Sequence, residues 1–380
     1  MRFARACSLL VVAVVTAAVP SAAQTVESQA QAAARSRTAG RQAVAAGWQK
    51  SARIRAAQNA ARQLITVERA QRQSAVRGSS GQRESAGWPE VTEIVSRTLR
   101  LGREGTFELQ SLAGDVVITG GRGDDVRIEA TKRVRHRSSA AARGLLREMR
   151  VEAIERGGNV EVQADQPRGR SVWAAIDYVI SLPSRANVVV GLGSGDVRIR
   201  NVSGEIRAEA AEGNLAASDV RRVRHLRTMR GTIEVADAEA DELSATTVQG
   251  DLLVRNLKGR VLALTSVNGD VRLIDVEANR ARLQTTAGDI EYTGPLSRSG
   301  RYEFVTHSGN IRVTPSGGSG FDLEAYSFTG DVRSDYDLRR SSGRTPAARP
   351  TERMMRGTFG DAGAALTVRS FSGDILLVRR

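Results

Sequence analysis

The residues able to do chemistry in this sequence are few and scattered. Histidine occurs three times, at His136, His225 and His307. Their spacing fits no metal site, and no Gly-x-Ser-x-Gly elbow is present to support a Ser-His-Asp triad, so each reads as a surface or strand residue. The single cysteine, Cys7, precedes an apolar run near the N-terminus. Beyond it the chain has no means of thiolate catalysis, disulfide bonding or cysteine metal ligation. The densest acidic cluster is Asp237, Glu239, Asp241 and Glu242. Clustered carboxylates beside aromatic platforms would suit cleavage of a polysaccharide, but aromatic residues make up only 4% of the chain, and the cluster reads as a solvated corner. A second acidic set, Asp196, Asp251, Asp270, Asp289, Asp331 and Asp374, raises calcium binding. Calcium-binding β-rolls place Asp in nearly every turn; here Asp comes once per period and gives way to Asn214, Thr232 and Asn310, which favours a corner role. Arg122-Gly123-Asp124 spells an attachment tripeptide, but it sits where a Gly-Asp corner of the repeat would fall. No catalytic, cofactor-binding or metal-ligating residue is assigned, and no cofactor is expected.

These residues are ordered by a repeat. A Gly-polar-aliphatic step recurs at Gly195, Gly213, Gly231, Gly250, Gly269, Gly288, Gly309 and Gly330, at intervals of 18 to 21 residues, with a last copy at Gly373. Two residues after each glycine stands an aliphatic side chain, from Val197 to Ile375. Five before it the column is again apolar, as in Leu226, Leu264, Leu283 and Phe304. Three before it stand Thr228, Thr247, Ser266, Thr285, Thr306, Ser327 and Ser370. The parity puts the hydroxyls on the apolar side, where they must bond one another or the turn backbone. Glycine supplies the positive φ or the close approach of a corner, and Asp or Asn can satisfy turn amides. One period then holds two short strands and two corners, and cannot bury its apolar face alone, so neighbours stack. The expected fold is mainly β: a β-solenoid of roughly nine coils, a rod about 40 Å long at ~4.8 Å per coil. A sandwich of hairpins would not force the period to be kept.

Residues 193–380 form this repeat domain, with a loop inserted at about 339–358, where Pro346 and Pro350 stand in a stretch of low hydrophobicity. Residues 89–192 read as an irregular N-terminal cap of antiparallel strands. Within it Gly114-Asp115-Val116 repeats the step, Ser138 to Glu148 carries one helix, and Val172 to Leu182 is a strand stopped by Pro183.

Ahead of the cap, Arg2 and Arg5, the apolar run Leu9 to Val19, and Pro20-Ser21-Ala22-Ala23 read as a signal peptide over 1–23. Residues 24–88 form an Ala/Gln/Arg-rich arm, helical or disordered, with a flexible stretch from Gly78 to Gly87. Between Gln24 and Trp88 eleven basic residues face three acidic ones, so +8 of the net charge of +14 lies there. The arm reads as a tether, or as a contact to an anionic surface. Nucleic acid is not expected as a partner of an exported chain.

With the Gly-Asp-Val strand, the helical insert, the strand Asp177-Tyr178-Val179-Ile180-Ser181-Leu182-Pro183, the serial Ser/Thr-x-x-Gly-Asp-aliphatic coils and the closing Ser372-Gly373-Asp374-Ile375, residues 100 to 380 resemble a bacterial candidate-adhesin, β-strand-repeat family, domain of unknown function 4097. The resemblance implies an envelope or surface location and supplies no substrate. The reading is an exported, non-enzymatic β-solenoid: an adhesin-like interaction module or cell-envelope scaffold, periplasmic, outer-envelope or extracellular, with an envelope protein or polysaccharide as partner. Two alternatives stand beside it, a polysaccharide-acting β-helix enzyme and a periplasmic envelope-stress sensor working through protein partners.

Overall fold

A computed structural model describes residues 88–102, 104–167, 172–339 and 353–379. The signal peptide and all of the basic arm except Trp88 lie outside the described residues. In chain order the elements are β1 (Glu90–Arg100), β2 (Thr106–Ala113), β3 (Val116–Gly121), β4 (Asp125–Arg135), α1 (Ser139–Glu148), β5 (Arg150–Arg156), β6 (Asn159–Asp165), β7 (Trp173–Pro183), β8 (Asn187–Ser194) and β9 (Val197–Arg200). Then come β10 (Ile206–Glu212), β11 (Leu215–Val220), β12 (Val223–Arg230), β13 (Ile233–Gln249), β14 (Leu252–Asn268), β15 (Val271–Ala287) and β16 (Ile290–Ser308). The chain closes with β17 (Ile311–Ser316), β18 (Phe321–Ser327), β19 (Val332–Ser334), β20 (Met354–Phe359), β21 (Ala364–Ser372) and β22 (Ile375–Leu377).

The strands form a β-solenoid with two parallel ladders meeting at the glycine corner. The strands that follow each glycine pair in the order β3, β9, β11, β13, β14, β15, β16, β17. Those that precede it run β2, β8, β10, β12 and then the later parts of β13 to β16. All the aliphatic residues two after the glycine are buried, from Val116 and Val197 to Val332 and Ile375, as are those five before it, from Leu109 to Val368. The parity argument therefore holds along the whole stack. The helix is also where the sequence places it: Ser138 Oγ accepts from the Ala141 amide at 3.4 Å as its N-cap, and Ala142 and Leu146 are buried on its inner side.

Three expectations need correcting. First, the coils are not all pairs of short strands. In β13, β14 and β15 one strand of 17 residues runs through the second corner. The bend is absorbed by single residues in the left-handed region, six after the glycine: Asn201 (φ 55°), Asp219 (55°), Asp237 (52°), Asn256 (47°) and Asp275 (53°). Asn and Asp tolerate that conformation better than other side chains, and pairing resumes one residue later, at Ala238↔Leu257↔Val276. Where this column fails, at Gly294-Pro295, two buried tyrosines take over. Tyr292 Oη donates within reach of Val276 O (3.1 Å) and Pro295 O (2.9 Å), and Tyr302 Oη to Ala278 O (2.5 Å).

Second, the last coils are not stacked in sequence order. β21 pairs with β16 on one side and β18 on the other, and β22 lies between β17 and β19. The Gly373 level is thus inserted between those of Gly309 and Gly330. The connection 317–320 steps over the level that β21 and β22 fill. Gly317 is at φ 91° there, and Asp361 Oδ1 accepts from the Gly320 amide at 2.7 Å.

Third, part of the expected loop at 339–358 is a strand: β20 pairs antiparallel with β18, Phe321↔Phe359 to Tyr326↔Met354. It covers an edge that β18 would otherwise leave open. Residues 340–352 of that loop lie outside the described residues. At the other end the cap mixes both pairings: β1–β4, β4–β7 and β5–β6 are antiparallel, while β3–β7 and β2–β6 are parallel.

Candidate interaction surface

The glycine corner leaves little polar chemistry to spare. Each corner glycine lies on the carbonyl of the one below. A Cβ added to Gly213, Gly231, Gly250, Gly269, Gly288 or Gly309 would come within 1.9 to 2.1 Å of that oxygen. Their φ values of 133° to 152° are open to glycine and strained for other residues. The turned carbonyl is then met from the next coil by the buried hydroxyl column. Thr228 Oγ1 donates to Gly213 O, Thr247 to Gly231, Ser266 to Gly250, Thr285 to Gly269, Thr306 to Gly288 and Ser370 to Gly309, at 3.0 to 3.1 Å.

The Asp column is used in the same way. Asp251 Oδ1 accepts from the Asp270 amide (2.8 Å), Asp270 from Asp289 (2.9 Å) and Asp289 from Asn310 (2.7 Å). Asp196, Asn214 and Asn310 do the same for Asn214, Thr232 and Asp374, each at 2.9 Å. A carboxylate or amide oxygen serves equally as acceptor, which is why Asn replaces Asp freely. The corner role expected for these residues holds, and the amide each satisfies belongs to the next coil.

The other candidates are dispersed. Asp237 is a left-handed corner residue whose Oδ1 accepts from Asn256 Nδ2 at 2.6 Å. Glu239 and Glu242 face Arg221 at 3.9 Å and Arg224 at 3.8 Å. The acidic level lies between a basic one below (Arg221, Arg222, Arg224) and another above (Lys258, Arg260). A groove of about 710 Å³ crosses these levels, lined by Arg185, Arg221, Arg222, Glu239, Asp241 and Lys258 among others. Charges of both signs alternate along it, the arrangement of a cross-strand ionic ladder. The histidines do not converge. His136 Nδ1 accepts from the Ser138 amide at 3.1 Å, His225 Nε2 lies 3.4 Å from Glu209, and His307 stacks on Phe371. Arg122-Gly123-Asp124 is not a repeat corner after all. It links β3 to β4, and a Cβ on Gly123 would meet nothing within 4 Å, so it lies outside the glycine stack.

Beside the corner runs an exposed column of mostly apolar residues. Two residues before each glycine, between the inward hydroxyl and the corner, stand Leu112, Gly193, Ala211, Met229, Val248, Val267, Thr286, His307, Phe371 and Phe328, in stacking order. Six of the exposed large hydrophobic residues lie in this one column, with Met229 at 53% and Phe371 and Phe328 at 47% exposure. The ladder register skips the position, passing from Thr247↔Ser266 to Gln249↔Asn268. Both strands advance by two residues, so the register is kept, and the alternation of the strand turns this side chain outward while the hydroxyl beside it stays in. At the C-terminal end the column becomes a stack of rings: His307 on Phe371 at 4.6 Å and 12°, and Phe371 on Phe328 at 4.8 Å and 9°. The insertion of the Gly373 level puts these three rings on consecutive levels. Sequence reading passed over this column because its members share no residue type, and because Phe371 and Phe328 become neighbours only through the exchanged level.

The family model of Toastrack domain-of-unknown-function 4097 matches residues 106–377, from β2 to the end of β22. This chain belongs to that family. Among curated proteins none matches it. Similar solved structures include a candidate cell adhesion protein from Clostridium sporogenes (10% identity, covering 76% of this chain and 100% of that one, TM-score 0.20). A candidate adhesin from Bacteroides fragilis is 13% identical over 75% of this chain and 97% of its own, with a TM-score of 0.37. A candidate lipid-binding protein from Parabacteroides distasonis gives 12%, 75%, 97% and 0.40. With likenesses this low, none of the three says what this Toastrack chain binds.

Proposed function

We propose that this Toastrack protein is an exported, non-enzymatic module that works by contact, as an adhesin-like binder or a scaffold of the cell envelope. The observation that carries the reading is the exposed apolar column ending in the His307–Phe371–Phe328 stack. Its scaffold has its Asp, Ser and Thr columns committed to bonds between coils, so the polar side chains that recur most often serve stacking. Apolar surface held in a continuous row on a rigid sheet is the form of a binding surface. Export rests on the N-terminal sequence, with the basic arm at 24–88 as a tether to an anionic surface and an envelope protein or polysaccharide as the partner.

The test is sedimentation of the labelled protein with envelope fractions. Binding by the wild-type chain and its loss in the Phe328→Ala/Phe371→Ala variant are the expected results. Equal binding by the variant would sink the contact surface. Unchanged envelope association after deletion of residues 24–88 would remove the tether from the reading.

A further inference from the structure

The apolar column has a second column beside it. One residue before each glycine, in stacking order from the Gly250 level, stand Gln249, Asn268, Ala287, Ser308, Ser372 and Thr329. From Val248–Gln249 to Phe328–Thr329 neither column contains Asp, Glu, Lys or Arg. Two residues beyond it, past each glycine, runs the Asp column, with Asp270 paired to Arg272 at 2.8 Å and Asp331 to Arg333 at 3.1 Å; on the other side Arg282 pairs with Glu303 at 2.8 Å and Arg356 with Glu324 at 2.8 Å. Arg369, two residues before Phe371, is exposed. Among the described residues, the side chains of Gln249, Asn268, Thr286 and Ser372 make no hydrogen bond within the protein, so their donors and acceptors are open to a ligand. From the Gly250 level to the Gly330 level the surface therefore offers mostly ring and aliphatic contacts in one row and mostly amides and hydroxyls in the next, with no Asp, Glu, Lys or Arg in either row.

We infer that this double column is a binding site for an uncharged polysaccharide, a deepening that rests on the contact reading above. The chemistry matches on three counts. A neutral sugar has apolar C–H surface that packs on aromatic and aliphatic groups. Its hydroxyls both donate and accept, as do amide and hydroxyl side chains. An extended chain presents these features at short, regular intervals, as the coils do. A polyanion would gain nothing from a strip without cations along its length. A buried peptide partner would have to leave the amides of Gln249 and Asn268 unpaired or supply a partner for each.

The experiment is native affinity electrophoresis of the full chain in gels holding hydroxyethyl cellulose, mannan or dextran, with alginate as the charged control. Retardation by at least one neutral polymer is expected. It should weaken about tenfold in apparent affinity in Phe328→Ala/Phe371→Ala and about threefold in Asn268→Ala/Gln249→Ala, whose changes spare every buried residue. Unchanged circular dichroism and melting temperature of the second variant exclude unfolding as the cause. Retardation by none of the neutral polymers, or equal retardation of wild type and both variants, overturns the glycan assignment. Retardation by alginate alone, abolished by salt, does so too, since it reports only net charge. If the ring variant loses envelope binding while no neutral polymer retards the wild type, the contact reading stands with a protein as partner and the glycan assignment falls alone.

Discussion

Gly373 lies on Gly309, its neighbour in space though 64 residues away in sequence: the Cβ it lacks would stand 2.0 Å from the Gly309 carbonyl oxygen. Gly330 in turn lies on Gly373, with 2.2 Å for the same contact. The exchange of levels is fixed by side chains as well, since Ser370 Oγ donates to Gly309 O at 3.1 Å and Ser327 Oγ to Gly373 O at 2.8 Å. Deleting residues 364–380 should therefore loosen residues 321–334, which precede the deletion in sequence, while β13 to β15 keep their pairing. Amide hydrogen exchange measures this: loss of protection at Leu323 and Ala325, with protection kept at Leu264, is the expected pattern.

The glycine stack predicts a steep cost for one methyl group. Gly250→Ala places its Cβ 2.1 Å from Gly231 O and forces alanine to φ 145°. A loss of about 3 kcal/mol or more in urea unfolding is expected, because strain in a disfavoured backbone region adds to a clash with backbone that cannot move aside. Gly123→Ala, at φ 110° with open space around it, carries the strain without the clash and should cost less.

The hydroxyl column separates shape from hydrogen bonding. Thr247→Val keeps the volume but leaves the Gly231 carbonyl without its 3.0 Å donor, which should cost about 1–3 kcal/mol. The same change at Thr246, one residue away and facing out, should fall within about 0.5 kcal/mol. Equal effects at the two positions would contradict the inward hydroxyl.

In the Asp ladder the acceptor matters and the charge does not. Asp270→Asn keeps an oxygen for the Asp289 amide and separates Asp251 from Asp289 by a neutral group; it gives up an ion pair with Arg272 that is about half exposed on the arginine side. Stability within about 0.5 kcal/mol of wild type is expected, whereas Asp270→Ala should lose about 1 kcal/mol. Urea midpoints at low and high salt would check both.

Two buried tyrosines should answer differently to loss of the hydroxyl. Tyr292 has one O–H for the two carbonyls within its reach, so Tyr292→Phe removes the donor they share and should destabilise by about 1–3 kcal/mol. Neither Tyr178 Oη nor the buried Ser111 Oγ has a partner of good geometry, so Tyr178→Phe should be neutral or stabilising. Burial pushes the Tyr178 hydroxyl up to about 12, with Ser111 opposing in part. Between pH 10 and 12 the unfolded chain then releases a proton that the folded chain keeps, so stability falls as pH rises through that window, by about 2–3 kcal/mol. Tyr178→Phe should flatten this part of an alkaline unfolding profile.

Much of this architecture could be read from spacing, because the columns two after, three before and five before the glycine each repeat a residue class that only stacking explains. The left-handed column was equally present as Asn201, Asp219, Asp237, Asn256 and Asp275. It stayed hidden because Asp237 read naturally with Glu239 and Asp241 as an acidic cluster. The exchanged level could not be read from period at all: Gly330 and Gly373 carry the same motif, and nothing in the motif says which of them stacks on Gly309. The exposed column was illegible for a related reason. A solvent-facing position constrains no residue type, so nothing in the types of Met229, Val248, Thr286 and Phe371 marks them as a row, and only the exchanged level brings Phe371 onto Phe328.

The stitch at each corner, a glycine on a carbonyl and a hydroxyl on that carbonyl, is the same from Gly213 to Gly309, and an Asp or Asn oxygen meets the next amide at each of these levels except that of Thr232. A coil so joined meets the same kinds of contact above and below, whichever coil its neighbour happens to be. Copy number is therefore a free variable of this fold: a whole period of 19 residues can be gained or lost in the middle of the stack without creating a new kind of contact. Such a change would shift the ring cluster along the axis by one step of about 4.8 Å relative to the cap, which makes the reach of the surface adjustable in fixed increments while its chemistry stays the same.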